Sequence, residues 1–238
     1  MSTPKESFQG NSRAAGIVIV LSAIASIVAV ALDSMASGND ALSIMQSMIR
    51  IQQSHQIVHV VAMSCVGGLM FGYSVFSQRL GLHRASVMAG LIAYGFGSVL
   101  MLAATVIDGF ISTDSAVMFV NKSPEIMNTG FWLIQTMSGV VLIDIAKVAW
   151  VFQSVAVLFW AAALLRERGL NRAVGVIGLA AGALPAITVL VVGSNMTDNV
   201  VVSILLLQAV WNIAAATLLI RGDKERSIKQ PQLAATAH

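Results

Sequence analysis

His55 and His59 stand four residues apart in the run His55-Gln56-Ile57-Val58-His59. On a continuous helix that spacing puts two imidazoles on one face, one turn apart, where they can share a metal ion. Asp33 or Asp108 can add an oxygen ligand, a nitrogen and oxygen set that suits zinc or copper. No Glu follows the first histidine, so the zinc-protease pattern is absent. The plainer reading is hydrogen bonding: histidines at a membrane interface bond neighbours or headgroups, and Asp33 and Asp108 end their helices at water. Asp144 and Lys147 are three apart and pair with each other by the same helical geometry.

A second polar set lies deeper in apolar sequence: Gln153, and Gln208 with Asn212 one helical turn on. Amides in hydrocarbon need partners, so these face the bundle interior and bond neighbouring helices. A solute pathway lined by the same amides is the sharper alternative, but no acidic or basic run accompanies them as proton-coupled transport requires. Cys65 is the single cysteine, which removes paired-thiol chemistry and leaves a small packing residue. Facing axial histidines for haem are missing, because His55 and His59 project from one helix, His83 falls in a turn and His238 is terminal. Met35, Met45, Met48, Met63, Met70, Met118, Met127 and Met137 could bind copper(I) as thioethers, but no tight methionine cluster recurs with histidine, and gap-filling explains them first. No phosphate-cradling glycine loop, dinucleotide fingerprint or nucleophile elbow occurs.

The elements that hold these residues follow from composition. Of 238 residues 57% are hydrophobic and 11% charged, against about 25% charged in a soluble domain. Apolar blocks of about 20 residues satisfy their backbone in hydrocarbon as helices, and no alternation supports a β-barrel. The chain is therefore all-α, a polytopic helical bundle with spans at 14–32, 58–77, 85–107, 148–165, 173–192 and 200–220. The fourth boundary is blurred, since apolar character begins near Phe131 and is interrupted by Asp144 and Lys147.

Arg-Ala opens spans one, three and five, at Arg13-Ala14, Arg84-Ala85 and Arg172-Ala173, and the turns 79–84 and 166–172 both combine glycine with basic residues. This reads as three tandem hairpins, although basic glycine-bearing turns also follow from the charge rule alone. Small residues four apart, Gly68 and Gly72, Ala93 and Gly97, Gly178 and Gly182, mark close helix approach. Pro185 should kink the fifth span. Between spans, the stretch from Ala41 has amphipathic helical spacing behind a turn and cap at Ser37-Gly38-Asn39-Asp40, and Ser123-Pro124-Glu125 starts another helix ahead of span four. These two segments are expected to cover the mouth of the bundle.

Of the 14 Lys and Arg, eleven (Lys5, Arg13, Arg79, Arg84, Arg166, Arg168, Arg172, Arg221, Lys224, Arg226, Lys229) flank one side and three (Arg50, Lys122, Lys147) the other. The richer side is the cytoplasm by the positive-inside rule, with both termini there and the histidines outside. A cleaved signal sequence ending near Ser34-Met35-Ala36 is less consistent with an apolar run of this length, so the first span is retained. The domain reading is a cytoplasmic tail at 1–13, a six-span domain at 14–220 and a structureless cytoplasmic tail at 221–238, in a bacterial inner membrane. The partners are lipid and other membrane subunits or further copies of the chain; the net charge of +3 reflects the flanks and not nucleic acid. The sequence favours a non-catalytic subunit of a larger complex or a small-solute permease. The alternative is a metal-dependent membrane enzyme built on His55, His59, Asp33 and Asp108.

Overall fold

Long apolar runs have one way to satisfy every backbone group in hydrocarbon without a closed barrel, and the chain takes it. The computed structural model describes residues 4–193 and 196–235, with the side chains of 11–193, 196, 197 and 199–221. His238 and the side chains of Lys5, Lys224, Arg226 and Lys229 lie outside the described residues. The elements are α1 (Pro4–Leu32), α2 (Ala41–Leu80), α3 (Ala85–Val106), α4 (Thr113–Phe119), α5 (Pro124–Thr136), α6 (Leu142–Leu165), α7 (Leu170–Val192) and α8 (Asp198–Ala235). π-helical turns at Ile107–Ser112 and Met137–Val141 join α3 to α4 and α5 to α6 without a break. Among the described residues there is no strand, and six helical stretches are long and apolar enough to cross a membrane.

The six stretches close into a ring in chain order: α1 packs on α2, α2 on α3, α3 on α6, α6 on α7, α7 on α8, and α8 back on α1. The small-residue pairs sit at these crossings. A Cβ on Gly72 would meet Ile19 of α1, one on Gly97 would meet the Ala149 carbonyl and Gln153 of α6, and one on Gly178 would meet Trp211 of α8. Without a solvent-driven hydrophobic effect between helices in lipid, such close approach is what makes association favourable. α7 runs through the buried Pro185 as a single helix.

One end of the ring carries most of the arginines. There Gly81 takes φ +96° to end α2 and Gly169 takes φ +62° ahead of α7, a left-handed region that disfavours side chains. Arg84 pairs with Glu167 at 3.0 Å, and the Arg79 guanidinium donates to the Leu218 carbonyl, tying α2 to α8. Above this end lies the main core, in which Tyr73 stacks on Trp160 at 4.8 Å and Phe76 meets Trp160 and Trp211 edge-on.

At 1.5 Å per residue, α2 is about 60 Å long, twice the roughly 30 Å of a hydrocarbon core. Counting back from Leu80 puts His59 about 32 Å from the arginine end, and counting on from Ala85 puts Asp108 about 35 Å from it. Both therefore sit about one hydrocarbon thickness from the arginine end. Beyond that level, the first part of α2, α4 and α5 form a small cap with its own core, in which Met45, Ala116 and Ile134 are buried and Met48, Phe119 and Phe131 pack against them. Asp40 caps α2 through its side chain, accepting from the Ser43 amide at 2.8 Å while the Ser43 hydroxyl accepts from the Asp40 amide at 3.1 Å.

One expectation needs correction. Asp108 does not close a helix: the chain stays helical through it to Phe119, and α4, α5 and the second π turn fill most of the stretch that follows. Polar side chains end a span without ending its helix, because beyond the hydrocarbon water and the cap satisfy them.

Candidate functional site

The four residues singled out for metal chemistry come from three elements and meet. Asp33 follows the last turn of α1, His55 and His59 lie midway along α2, and Asp108 lies in the first π turn. One ligand atom from each lies within 4.8 Å of all the others. Both histidine side chains are buried, with 11% and 8% of their surface exposed. Their rings approach to 4.2 Å between centroids, so the one-turn spacing read from the sequence does put them on one face.

The hydrogen bonds assign the ring nitrogens. His59 Nδ1 is 2.9 Å from the His55 carbonyl oxygen, and a carbonyl only accepts, so Nδ1 carries a hydrogen. His55 Nδ1 is 2.7 Å from Asp33 Oδ1. Each ring thus spends its Nδ1 on an oxygen acceptor and turns Nε2 towards Asp108, at 3.2 Å from His59 and 3.9 Å from His55. An imidazole nitrogen facing a carboxylate needs a positive centre between or upon them, either a proton or a metal ion. A carboxylate or carbonyl behind the distal nitrogen is how metal-binding histidines are commonly held.

Local sequence explains the closeness. A Cβ on Gly109 would fall 2.5 Å from His59 Cβ and Cγ, so only glycine lets the π turn lie against that ring. The Ser112 hydroxyl donates to the Ile107 carbonyl at 2.9 Å, reclaiming an acceptor inside the widened turn, and meets Ser138 of the second π turn at 2.6 Å. On the cap side, Asp114 accepts from Gln52 at 2.8 Å and Gln56 at 3.1 Å, fixing α4 to the histidine-bearing part of α2. Sequence reasoning alone does not find Gly109, Ser112, Ser138 or Asp114. Only Gln52 and Gln56, one turn apart beside the histidines, offer a signal.

The ring borders a half-open cavity of about 530 Å³ that runs from Asp33, His59 and Asp108 to Tyr73, Gln153 and Asn212. The deep amides stand at its floor: Gln208 donates to Gln153 Oε1 at 3.1 Å, and the Tyr73 hydroxyl donates to Asn212 Oδ1. Gln153 and Gln208 thus partner each other across α6 and α8, while Asn212 finds a partner on α2. Asp144 and Lys147 pair at 3.0 Å beside the site without joining it, the Asp144 side chain being 65% exposed. Cys65 is buried and free.

Comparison with known proteins returns no matching family model, no matching curated protein and no matching solved structure.

Proposed function

We propose that this integral membrane protein holds a divalent transition metal on His55, His59 and Asp108 and uses it to activate water against an amphipathic substrate at the membrane surface. The observation that carries the reading is the convergence of two Nε2 atoms on one carboxylate, with both Nδ1 atoms already engaged behind them. Two imidazoles and a carboxylate are a common catalytic zinc set, which leaves a fourth position for water. Bonds of about 2.0–2.2 Å in a tetrahedron separate ligand atoms by roughly 3.4 Å, close to the 3.2 Å from His59 to Asp108 Oδ2 and near the 3.9 Å from His55 to Asp108 Oδ1. Asp33 is then the residue that orients His55, and not a ligand. Charge supports this: neutral imidazoles with two carboxylates carry −2, which one divalent ion cancels where uncompensated charge near hydrocarbon is costly.

The level of the site favours a lipid-like substrate, because a polar group at the headgroup boundary reaches it while its chain stays in hydrocarbon. In this reading the six spans form three tandem hairpins, the arginine end faces the cytoplasm, and the metal faces outward beneath the cap, in a bacterial inner membrane. The arginine excess supports that orientation.

Metal content by mass spectrometry on detergent-purified protein tests the proposal, with His55→Ala/His59→Ala as the comparison. About one zinc or copper per wild-type chain, lost in the variant at equal helicity, supports it. Metal in neither sample, after purification without chelator and incubation with zinc, ends it and leaves a non-catalytic subunit or permease as the better account.

A further inference from the structure

The far end of the cavity carries a separate chemistry. His59 and Tyr73 are on the same helix, fourteen residues and so about 21 Å apart. The cavity floor at Tyr73 is thus deep in the membrane, well away from the metal ligands. The floor is polar but uncharged: among the lining residues Gln153, Gln208 and Asn212 are amides, and the carboxylates and the imidazole, Asp33, Asp108 and His59, are all at the mouth. A ligand seated there is neutral, since nothing nearby compensates a charge.

The amides also have hydrogens to spare. Gln153 and Asn212 are each 9% exposed, and each uses its oxygen as an acceptor, from Gln208 and from Tyr73. Their NH₂ groups make no hydrogen bond among the described residues. Turning either amide over changes which atom bonds but still leaves N–H or O–H donors in excess. Neither nitrogen is among the fully buried unsatisfied atoms, and both residues line the cavity, so the floor offers donors to an acceptor that the chain does not supply.

The donors stand on two helices, Gln153 on α6 and Asn212 on α8, so one ligand with two acceptors can engage both. Aromatic side chains border this end: Tyr73, Tyr94 and Trp211 line the cavity here, and Trp150 lines it further towards the mouth, beside Ala104 and Ala146. Flat rings favour a flat, conjugated ligand. Towards the mouth the lining is aliphatic, with Ile27, Val30, Val66 and Leu69 among it. A volume of about 530 Å³ drawn out over roughly 21 Å leaves room for one hydrocarbon chain.

We infer that the floor is a binding site for an isoprenoid-quinone-type lipid, its two ring carbonyls accepting from Gln153 and Asn212, its ring among Tyr73, Tyr94 and Trp211, and its tail in the aliphatic part of the cavity. The site stands on residues that the metal proposal does not use.

The test is a titration of the detergent-purified full chain with a benzoquinone bearing a decyl tail, read by quenching of tryptophan fluorescence, since Trp150 and Trp211 line the cavity. Saturable quenching is expected. It should weaken at least tenfold in Gln153→Leu/Gln208→Leu, which removes a mutually bonded pair and so orphans no buried partner, and separately in Asn212→Leu. Binding should be the same with and without a metal chelator, so that loss of the metal proposal leaves this one standing. Quenching that rises linearly, equally in wild type and both amide variants, is partition into detergent and overturns the site. Displacement by methyl decanoate as effective as by the quinone also overturns it, because the cavity then recognises a chain or an ester and not the ring.

Discussion

Gly109 lies against His59 so closely that a Cβ at position 109 would fall 2.5 Å from the His59 Cβ and Cγ. The contact fixes how near the π turn carrying Asp108 comes to α2. Gly109→Ala should therefore push the imidazole away from Asp108 and cut metal content to less than half, with the helical signal retained. Gly139, in the other π turn, has open space where a Cβ would stand, with nothing within 4 Å, so Gly139→Ala should hold metal like wild type. Equal metal in the two variants would show that the Gly109 contact does not set the site.

Asp33 and Asp108 should separate by role. If Asp33 acts through His55, Asp33→Asn lowers metal affinity about ten- to hundredfold while saturation still reaches one ion per chain. Asp108→Ala removes a ligand and should leave no stoichiometric binding. Competition against a chromophoric chelator distinguishes the two, and identical losses would make both carboxylates ligands.

The crossing of α1 and α2 gives a stability prediction. Gly72→Ala places a methyl against Ile19 of α1, whereas Gly67 faces open space. Overpacking costs typically about 1–3 kcal/mol, and replacing an uncrowded helical glycine by alanine gains up to about 1 kcal/mol. Thermal unfolding in one detergent should rank Gly67→Ala at or above wild type and Gly72→Ala clearly below it. The reverse order would mean that the two helices do not cross there.

The Asp144–Lys147 pair should matter little. Its carboxylate is 65% exposed, and exposed pairs contribute about 0–1 kcal/mol. A double-mutant cycle of Asp144→Asn and Lys147→Met should give a coupling within that range and unchanged metal content. Loss of metal in either single variant would draw the pair into the site.

The histidine pair is legible in the sequence because α2 has no proline or glycine between Ala41 and His59, so four residues apart means one turn apart. The six spans are legible for a similar reason: hydropathy measures hydrocarbon, and hydrocarbon thickness counts out residues. That same counting brings Asp33 and Asp108 to one level. It does not show which way they face. The turn holding Asp108 has an extra residue per turn, which leaves no trace in hydropathy, and its closeness to His59 depends on a glycine among 19 in the chain. The partner of Asn212 is equally hidden, since Tyr73 lies 139 residues earlier and only the closing of the ring brings them together. The core of the cap is legible only in part: amphipathic spacing after Ala41 marks the face that carries Met45, but Ala116 and Ile134 are on two other stretches and form a core with it only when the three meet.

α2 is one rod from Ala41 to Leu80, with the cap core near its start and the imidazoles midway. The Asp108 side is tied to the cap as well, since α4 follows the first π turn without a break and Asp114 accepts from Gln52 and Gln56 of α2. The four-residue cluster and the cap are thus stretches of the same continuous backbone, and a change of sequence in the cap falls within one helix of the imidazoles.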